Sequence, residues 1–324
     1  MSIGFVVIGR NEGERLSACL DALASYGAPV VYADSASSDD SIARAARAGA
    51  ATVSLDPARP MNAARGRREG VERLIRDHPA TEFVQFIDGD CILQPGWIEQ
   101  ATTFLRQNPK VAATCGLRFE REPDASVYNR LCNDEWHTPV GEADACGGDA
   151  LMRVTAYREG GGFRSDLMAG EEPELCARLR AAGWQIWRLD GPMTEHDARI
   201  LRLSQWLRRA MRSGYGYAQV WSATKDLPRR LYGWQMWSGL LWGLLFPLAI
   251  MLFAMVAHSP TMLLLIPIAF LVQTARIAAR RGLTDAFAWR RGALLMLSKP
   301  AEAIGVVRYV AGHQRNEAIE YKSV

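Results

Sequence analysis

Asp88, Gly89 and Asp90 close the apolar run FVQFID, and far downstream Glu171 and Glu172 stand side by side ahead of PELCARLRAAG. Two carboxylates around a glycine are hard oxygen ligands that can reach one divalent cation, the glycine allowing a sharp backbone turn. Magnesium or manganese held there would bridge to a diphosphate and offset its charge. A second carboxylate pair on a separate loop can take a proton from an attacking hydroxyl on the opposite face of the reacting carbon. Plain readings stand beside these. Asp-Gly-Asp also makes an ordinary turn, and acidic residues favour the first turn of a helix, where Pro173 would suit the first position.

The elements ahead of these residues set where they stand. Residues 3–9, IGFVVIG, read as a buried strand, and Leu16, Cys19, Leu20 and Leu23 then fall on one helical face, with Gly27 suited to the helix end. PVVYADSASSDDSIARAARAG repeats the pattern, a third unit runs through ATVSL and AARGRREGVERLIRDH, and EFVQFID follows as a strand. Strands alternating with helices at this spacing predict an α/β fold whose mostly parallel sheet is covered by helices on both faces. Ligands of such sheets sit outside the carboxyl ends of the strands, so the loops GRNEGE, ADSASSDD and DGDC face the ligand.

Six motifs in order resemble family 2 glycosyltransferases with the GT-A fold, across residues 3–225: VVIGRNE, ADSASSDDS, AARGRREG, FIDGD, ACGGDALMR with GGF, and GEEPELCARLRAAG. The resemblance implies that Asn11, Glu12 and Asp34 line a nucleotide pocket, with Asp34 taking the imide hydrogen of a uridine donor. It implies Arg67 near the diphosphate, Asp88 at the ribose, and Asp90 with Asp88 at a divalent cation, Mg2+ or Mn2+, whose shell His196 would complete. Glu172 falls on the position of the catalytic base, with Glu171 as its neighbour. Trp136, His137, Gly148 and Asp149 fall on the acceptor side. Two departures stand out: glutamate replaces the more usual aspartate at the base, and Arg68 replaces the asparagine of the ArNxG helix. Residues 128–149 show no helical periodicity and read either as a surface loop or as the wall of an acceptor pocket. His78 and His313 read as solvated surface residues.

The chain of 324 residues is 49% hydrophobic and 23% charged with a formal net charge of +3, an ordinary globular balance that excludes a nucleic-acid surface. Its six cysteines stand singly with no CxxC pair, which argues against a metal cluster or disulfide framework and for a reducing compartment. From Met236 to Ala257 no residue is charged, about the 20 residues a spanning helix needs, and Thr261 to Ala275 forms a second such stretch. Tryptophans 234, 237 and 242 suit an interfacial belt. Arg229 and Arg230 before the pair, and Arg276, Arg280 and Arg281 after it, put both flanks in the cytoplasm.

These readings divide the chain into a catalytic domain over residues 1–232 and a membrane-associated region over 233–324: a hairpin at 234–275, then interfacial helices broken at Pro300. Residues 204–214 are expected as an amphipathic helix on the membrane surface. The expected activity is a metal-dependent, inverting transfer from a nucleoside-diphosphate sugar to a lipid-linked or glycolipid acceptor. It would occur at the inner (cytoplasmic) membrane with the catalytic domain facing the cytoplasm. A polyprenyl-phosphate sugar synthase is the nearest alternative, although the acidic stretch NDEW…GEADACGGD does not suit a lipid phosphate. A degenerate nucleotide-binding scaffold is the alternative from another class, and the intact DGD and EE motifs argue against it.

Overall fold

The computed structural model describes residues 2–312, so His313 lies outside the described residues. Two compact units divide the chain. One holds the residues up to 125 with 132–199 and 226–229, and the other holds 126–131, 200–225 and the residues from 230 on.

The first unit follows the alternation written in the sequence. β1 (Ile3–Gly9) leads into α1 (Glu14–Ala24), β2 (Val30–Asp34) into α2 (Ser41–Arg47), and β3 (Ala51–Ser54) into α3 (Ala63–Asp77). β4 (Phe83–Asp88) is followed by the short β5 (Cys91–Leu93) and α4 (Trp97–Gln107). Then come β6 (Val111–Glu120), α5 (Val127–Trp136), β7 (Gly141–Glu142), β8 (Ala150–Arg153), α6 (Val154–Glu159), α7 (Glu171–Ala181) and β9 (Gln185–His196). Among the described residues these strands form one sheet in the order β3-β2-β1-β4-β8-β6-β9-β5, with β7 on β9. The first four run parallel and β8 reverses between β4 and β6; β9 is parallel to β6, while β5 and β7 are antiparallel to β9.

Side chains alternate across β1, so Phe5 and Val7 join Leu16, Leu20 and Trp97 on one face while Val6 and Ile8 join Leu74, Phe86 and Leu175 on the other. With both faces covered, β1 is apolar throughout rather than alternating. Truncating a fully buried ring such as Phe5 to alanine would cost about 3–5 kcal/mol.

Strand register carries the site. Gly9 lies opposite Asp34 and Ile8 opposite Asp88, which sets both aspartates at the carboxyl edge, one on each side of β1. His196 on β9 lies opposite both Cys91 and Glu120, so it stands beside the DGD turn.

Two local expectations change. Residues 127–136 are helical despite lacking apolar periodicity, because two inward positions are asparagines bonded to backbone. Asn129 Oδ1 accepts from Ile200 N at 3.0 Å and Asn133 Oδ1 from Glu120 N at 2.9 Å. α7 begins at Glu171 after the left-handed Gly170 (φ 78°), so Pro173 is third rather than first in the helix. Its missing N–H still costs nothing there, because the first four donors of a helix have no internal partner.

In the second unit, α8 (Leu203–Ala223) and α9 (Gly233–Leu240) are followed by a π-helical turn at Leu241–Leu245, α10 (Phe246–Val256), a 3-10 turn at Pro260–Leu264, α11 (Leu265–Ala279) and α12 (Ala286–Val310). The stretches Gly233–Val256 and Pro260–Ala279 are long and apolar enough to cross a bilayer, with mean hydropathies of 2.3 and 1.9. Trp234, Leu252 and Leu271 are among the large apolar side chains they expose.

One helix departs from expectation. α12 runs unbroken through Pro300, where the sequence suggested a break. Glycines explain it by letting neighbouring backbones touch. A Cβ on Gly243 would lie 2.1 Å from Lys299 O, one on Gly214 2.0 Å from Glu302 O, and one on Gly305 2.0 Å from Met211 O. Such contact clamps α12 on both sides of the proline. Lys299 and Glu302 form an ion pair at 2.8 Å, which removes the cost of leaving either charge alone. The same contacts show that α8 packs on α12.

Candidate active site

At the β1–β2 edge, Asp34 is fully buried and held by three donors from its own strand and loop. It accepts from Tyr32 Oη at 2.9 Å, from Ser37 N at 2.7 Å and from Ser37 Oγ at 2.5 Å. Asn11, at φ 54°, ties the neighbouring loop to the same serines: its N–H donates to Ser37 Oγ at 2.9 Å, and its Oδ1 accepts from Ser38 N at 2.8 Å. A left-handed backbone is tolerated at asparagine, whose side chain bonds locally. Glu12 donates its N–H to Ser41 Oγ at 3.2 Å and pairs with Arg15 at 2.8 Å. Its Cγ lies 3.2 Å from where a Cβ on Gly89 would stand, so it reaches over the DGD turn.

The next layer is a chain of buried and half-buried charges. Arg67, 3% exposed, ion-pairs with Glu171 and, at 2.7 Å, with Asp88. Arg118 reaches Asp149 at 2.7 Å and Asp88 at 3.7 Å, and Asp149 also accepts from Asp88 N at 3.0 Å and Thr194 Oγ1 at 2.8 Å. Burial pushes the Arg67 and Arg118 guanidinium groups down, but Asp88 and Glu171 around the first, and Asp149 around the second, hold both above their usual value. Gly148 roofs this chain. A Cβ there would fall 2.9 Å from Arg67 Nη2 and 3.0 Å from Asp88 Oδ2.

Asp90 belongs to a different cluster. Its carboxylate lies 3.5 Å from His196 Nε2, while His196 Nδ1 faces Glu120 at 3.7 Å and the Trp136 ring stands edge-on to the imidazole at 4.8 Å. A carboxylate beside an imidazole that is backed by a second carboxylate is the donor arrangement of a divalent-cation site with its outer shell, so the residues fit Mg2+ or Mn2+. Asp88 stays with the arginines, so the three expected metal ligands are split: Asp90 and His196 come together without it.

Glu172 faces the loop between β7 and β8. Its oxygens accept from Cys146 N at 2.7 Å and Gly147 N at 3.0 Å, and from the Cys176 thiol at 2.8 Å. Glu171 instead faces Arg67. Burial pushes the Glu172 carboxyl up, and its hydrogen bonds only partly counter that. A buried, acceptor-only carboxylate held by neutral donors is suited to receive a proton at neutral pH.

One expected acceptor-side residue is absent from the assembly. His137 is exposed just past the end of α5, with Nδ1 2.6 Å from Asn133 O of that helix, and it joins none of these groups. Sequence reading missed Arg118 and Glu120. Both lie on β6, a strand that pairs with residues far along the chain, and no local motif marks them.

The comparisons bear on the family and the fold. The profile of the family described as "Glycosyltransferase like family 2" matches residues 2–216. The glycosyltransferase AglE of Haloferax volcanii is 20% identical over 239 residues, covering 70% of this chain and 76% of its own. Among solved structures, the mannosyltransferase PcManGT from Pyrobaculum calidifontis, in complex with GDP-Man and Mn2+, is similar with a TM-score of 0.62. It is 17% identical and covers 97% of this chain and 88% of that one. Glucosyl-3-phosphoglycerate synthase from Mycobacterium tuberculosis, with Mn2+, UDP-glucose and phosphoglyceric acid, is similar at a TM-score of 0.50 and 16% identity, covering 70% and 80%. At these identities the structures share the fold.

Proposed function

This chain belongs to glycosyltransferase family 2, the nucleotide-sugar-dependent, inverting transferases, and from that premise we propose that it moves a sugar to an acceptor lodged in a membrane. The Asn11–Asp34 loops hold the nucleotide, with the remaining acceptor capacity of Asp34 turned to a uracil imide. The solved relatives named above carry GDP-mannose or UDP-glucose together with Mn2+, which supports a nucleoside-diphosphate donor and a divalent cation. Asp90 and His196 would hold that cation, which when bound offsets charge growing on the departing diphosphate. Arg67 and Asp88 form the floor beneath the donor.

Glu172 takes the proton of the acceptor hydroxyl as its oxygen bonds to the anomeric carbon and the bond from that carbon to the diphosphate breaks. Glu171 positions Arg67. Trp136, Gly148 and Asp149 border the acceptor side. The observation that carries this reading is the pairing of Asp90 with His196 on one side of the turn, while Glu172, held by neutral donors alone, keeps its basicity.

We assign catalysis to residues 1–232, since every residue of the site precedes that boundary, and membrane attachment to residues 233–324. The two apolar stretches support an inner-membrane location. Basic residues on both outer flanks support a cytoplasmic site facing a lipid-linked or glycolipid acceptor. The test is a donor screen with purified membranes, Mn2+ or Mg2+, a panel of labelled nucleotide sugars, and mass spectrometry of the extracted lipids. Metal-dependent labelling of a lipid by one donor is the expected result. Label that stays water-soluble with every donor would overturn the membrane acceptor.

A further inference from the structure

Cysteine spacing argued against a thiol metal cluster, yet the fold gathers two of the six cysteines around Glu172. Cys176 Sγ donates to Glu172 Oε1 at 2.8 Å, and Cys146, Cys176 and Glu172 each present a ligand atom within 4.8 Å of the others. Two thiols with one carboxylate form a donor set for a thiophilic cation, because soft sulfur ligands select zinc over magnesium or manganese. Cys146 is half-buried beside the exposed Gly147, so an ion can enter through that loop.

The geometry points to a second, inhibitory metal site: Zn2+ held by Cys146, Cys176 and Glu172. Each ligating thiol releases its proton to solvent, and the Glu172 carboxylate becomes a ligand. The consequence for activity rests on the reading of Glu172 as proton acceptor, since a carboxylate holding zinc cannot take the acceptor's proton. The donor cation at Asp90 and His196 is undisturbed, so zinc stops transfer without displacing the nucleotide sugar.

The test uses the full-length protein with cobalt(II) as a spectroscopic probe, in saturating Mn2+ to occupy the Asp90–His196 site. A thiolate-to-cobalt charge-transfer band that zinc displaces is expected. The band should survive Cys91→Ser, the control for the thiol beside Asp90 and His196, and disappear in Cys146→Ser. In the transfer assay, the zinc concentration for half-inhibition should rise by more than about tenfold in Cys146→Ser. Absence of the band, or a band that persists in both Cys146→Ser and Cys176→Ser, would overturn the site. If the band behaves as expected but zinc leaves transfer unchanged, the site stands and the assignment of Glu172 as proton acceptor falls.

Discussion

The two units of the chain treat charge in opposite ways. The sheet unit buries Arg67 and Arg118 among Asp88, Asp149 and Glu171, and sets Glu172 apart with neutral partners only. The helical unit holds the half-buried Lys299–Glu302 pair, joins its helices at glycines, and turns leucine and tryptophan outward. Buried charge is costly unless paired. Its concentration on one strand edge marks where polar chemistry is done, while an apolar exterior on the helices suits hydrocarbon rather than water as their surroundings.

The largest expected effect separates the two glutamates of α7. Glu172→Gln should lower the rate on acceptor by about a hundred- to ten-thousand-fold with little change in donor affinity, and Glu171→Gln should do less. Because both Glu172 oxygens accept from backbone N–H, the new amide also sets a donor against a donor; Glu172→Asp, still acceptor-only, isolates the chemical part. The opposite ranking in single-turnover rates would move the base to Glu171. Glu172 must be ionised to act, and burial raises its pKa above that of an ordinary glutamate. Activity should therefore fall as pH drops through that raised value. In the folded state the carboxyl takes up its proton more readily than in the unfolded chain, so stability is lost as pH rises from the ordinary glutamate range through the raised value.

Arg67→Ala should destabilise the sheet unit by about 3–5 kcal/mol in denaturant unfolding, because Asp88 and Glu171 lose their shared cation. A smaller loss would mean that water screens the network. Gly214→Ala tests the other unit: a Cβ 2.0 Å from Glu302 O should cost about 1–3 kcal/mol and part α8 from α12. Unchanged thermal stability in detergent would remove glycine contact as the reason α12 passes Pro300 intact. The exposed pair Arg68–Glu72 should matter least. Its loss in Arg68→Ala should cost under about 1 kcal/mol, and a larger loss would mean Arg68 does more than face solvent.

Much of the first half was legible because its signals are local. β1, α1, α3 and β4 follow from apolar periodicity, and Asp34, Asp88 and Asp90 from loops that end strands. The later half depends on pairing across long separations. Arg118 and Glu120 gain meaning only when β6 lies beside β9, and Cys146 and Cys176 meet only once α7 and the β7–β8 loop are assembled. α12 was misread for a different reason: the local rule for proline is sound, but glycine-mediated packing from two neighbours outweighs it.

The central claim is that Asp90 and His196 hold the cation through which a nucleoside-diphosphate donor binds. Calorimetric titration of a nucleoside diphosphate, with and without Mn2+, into the parent protein and Asp90→Ala tests it most directly. The account predicts Mn2+-enhanced binding in the parent and none of that enhancement in the variant, with both proteins equally folded by circular dichroism. Undiminished Mn2+-dependent binding in Asp90→Ala would contradict it.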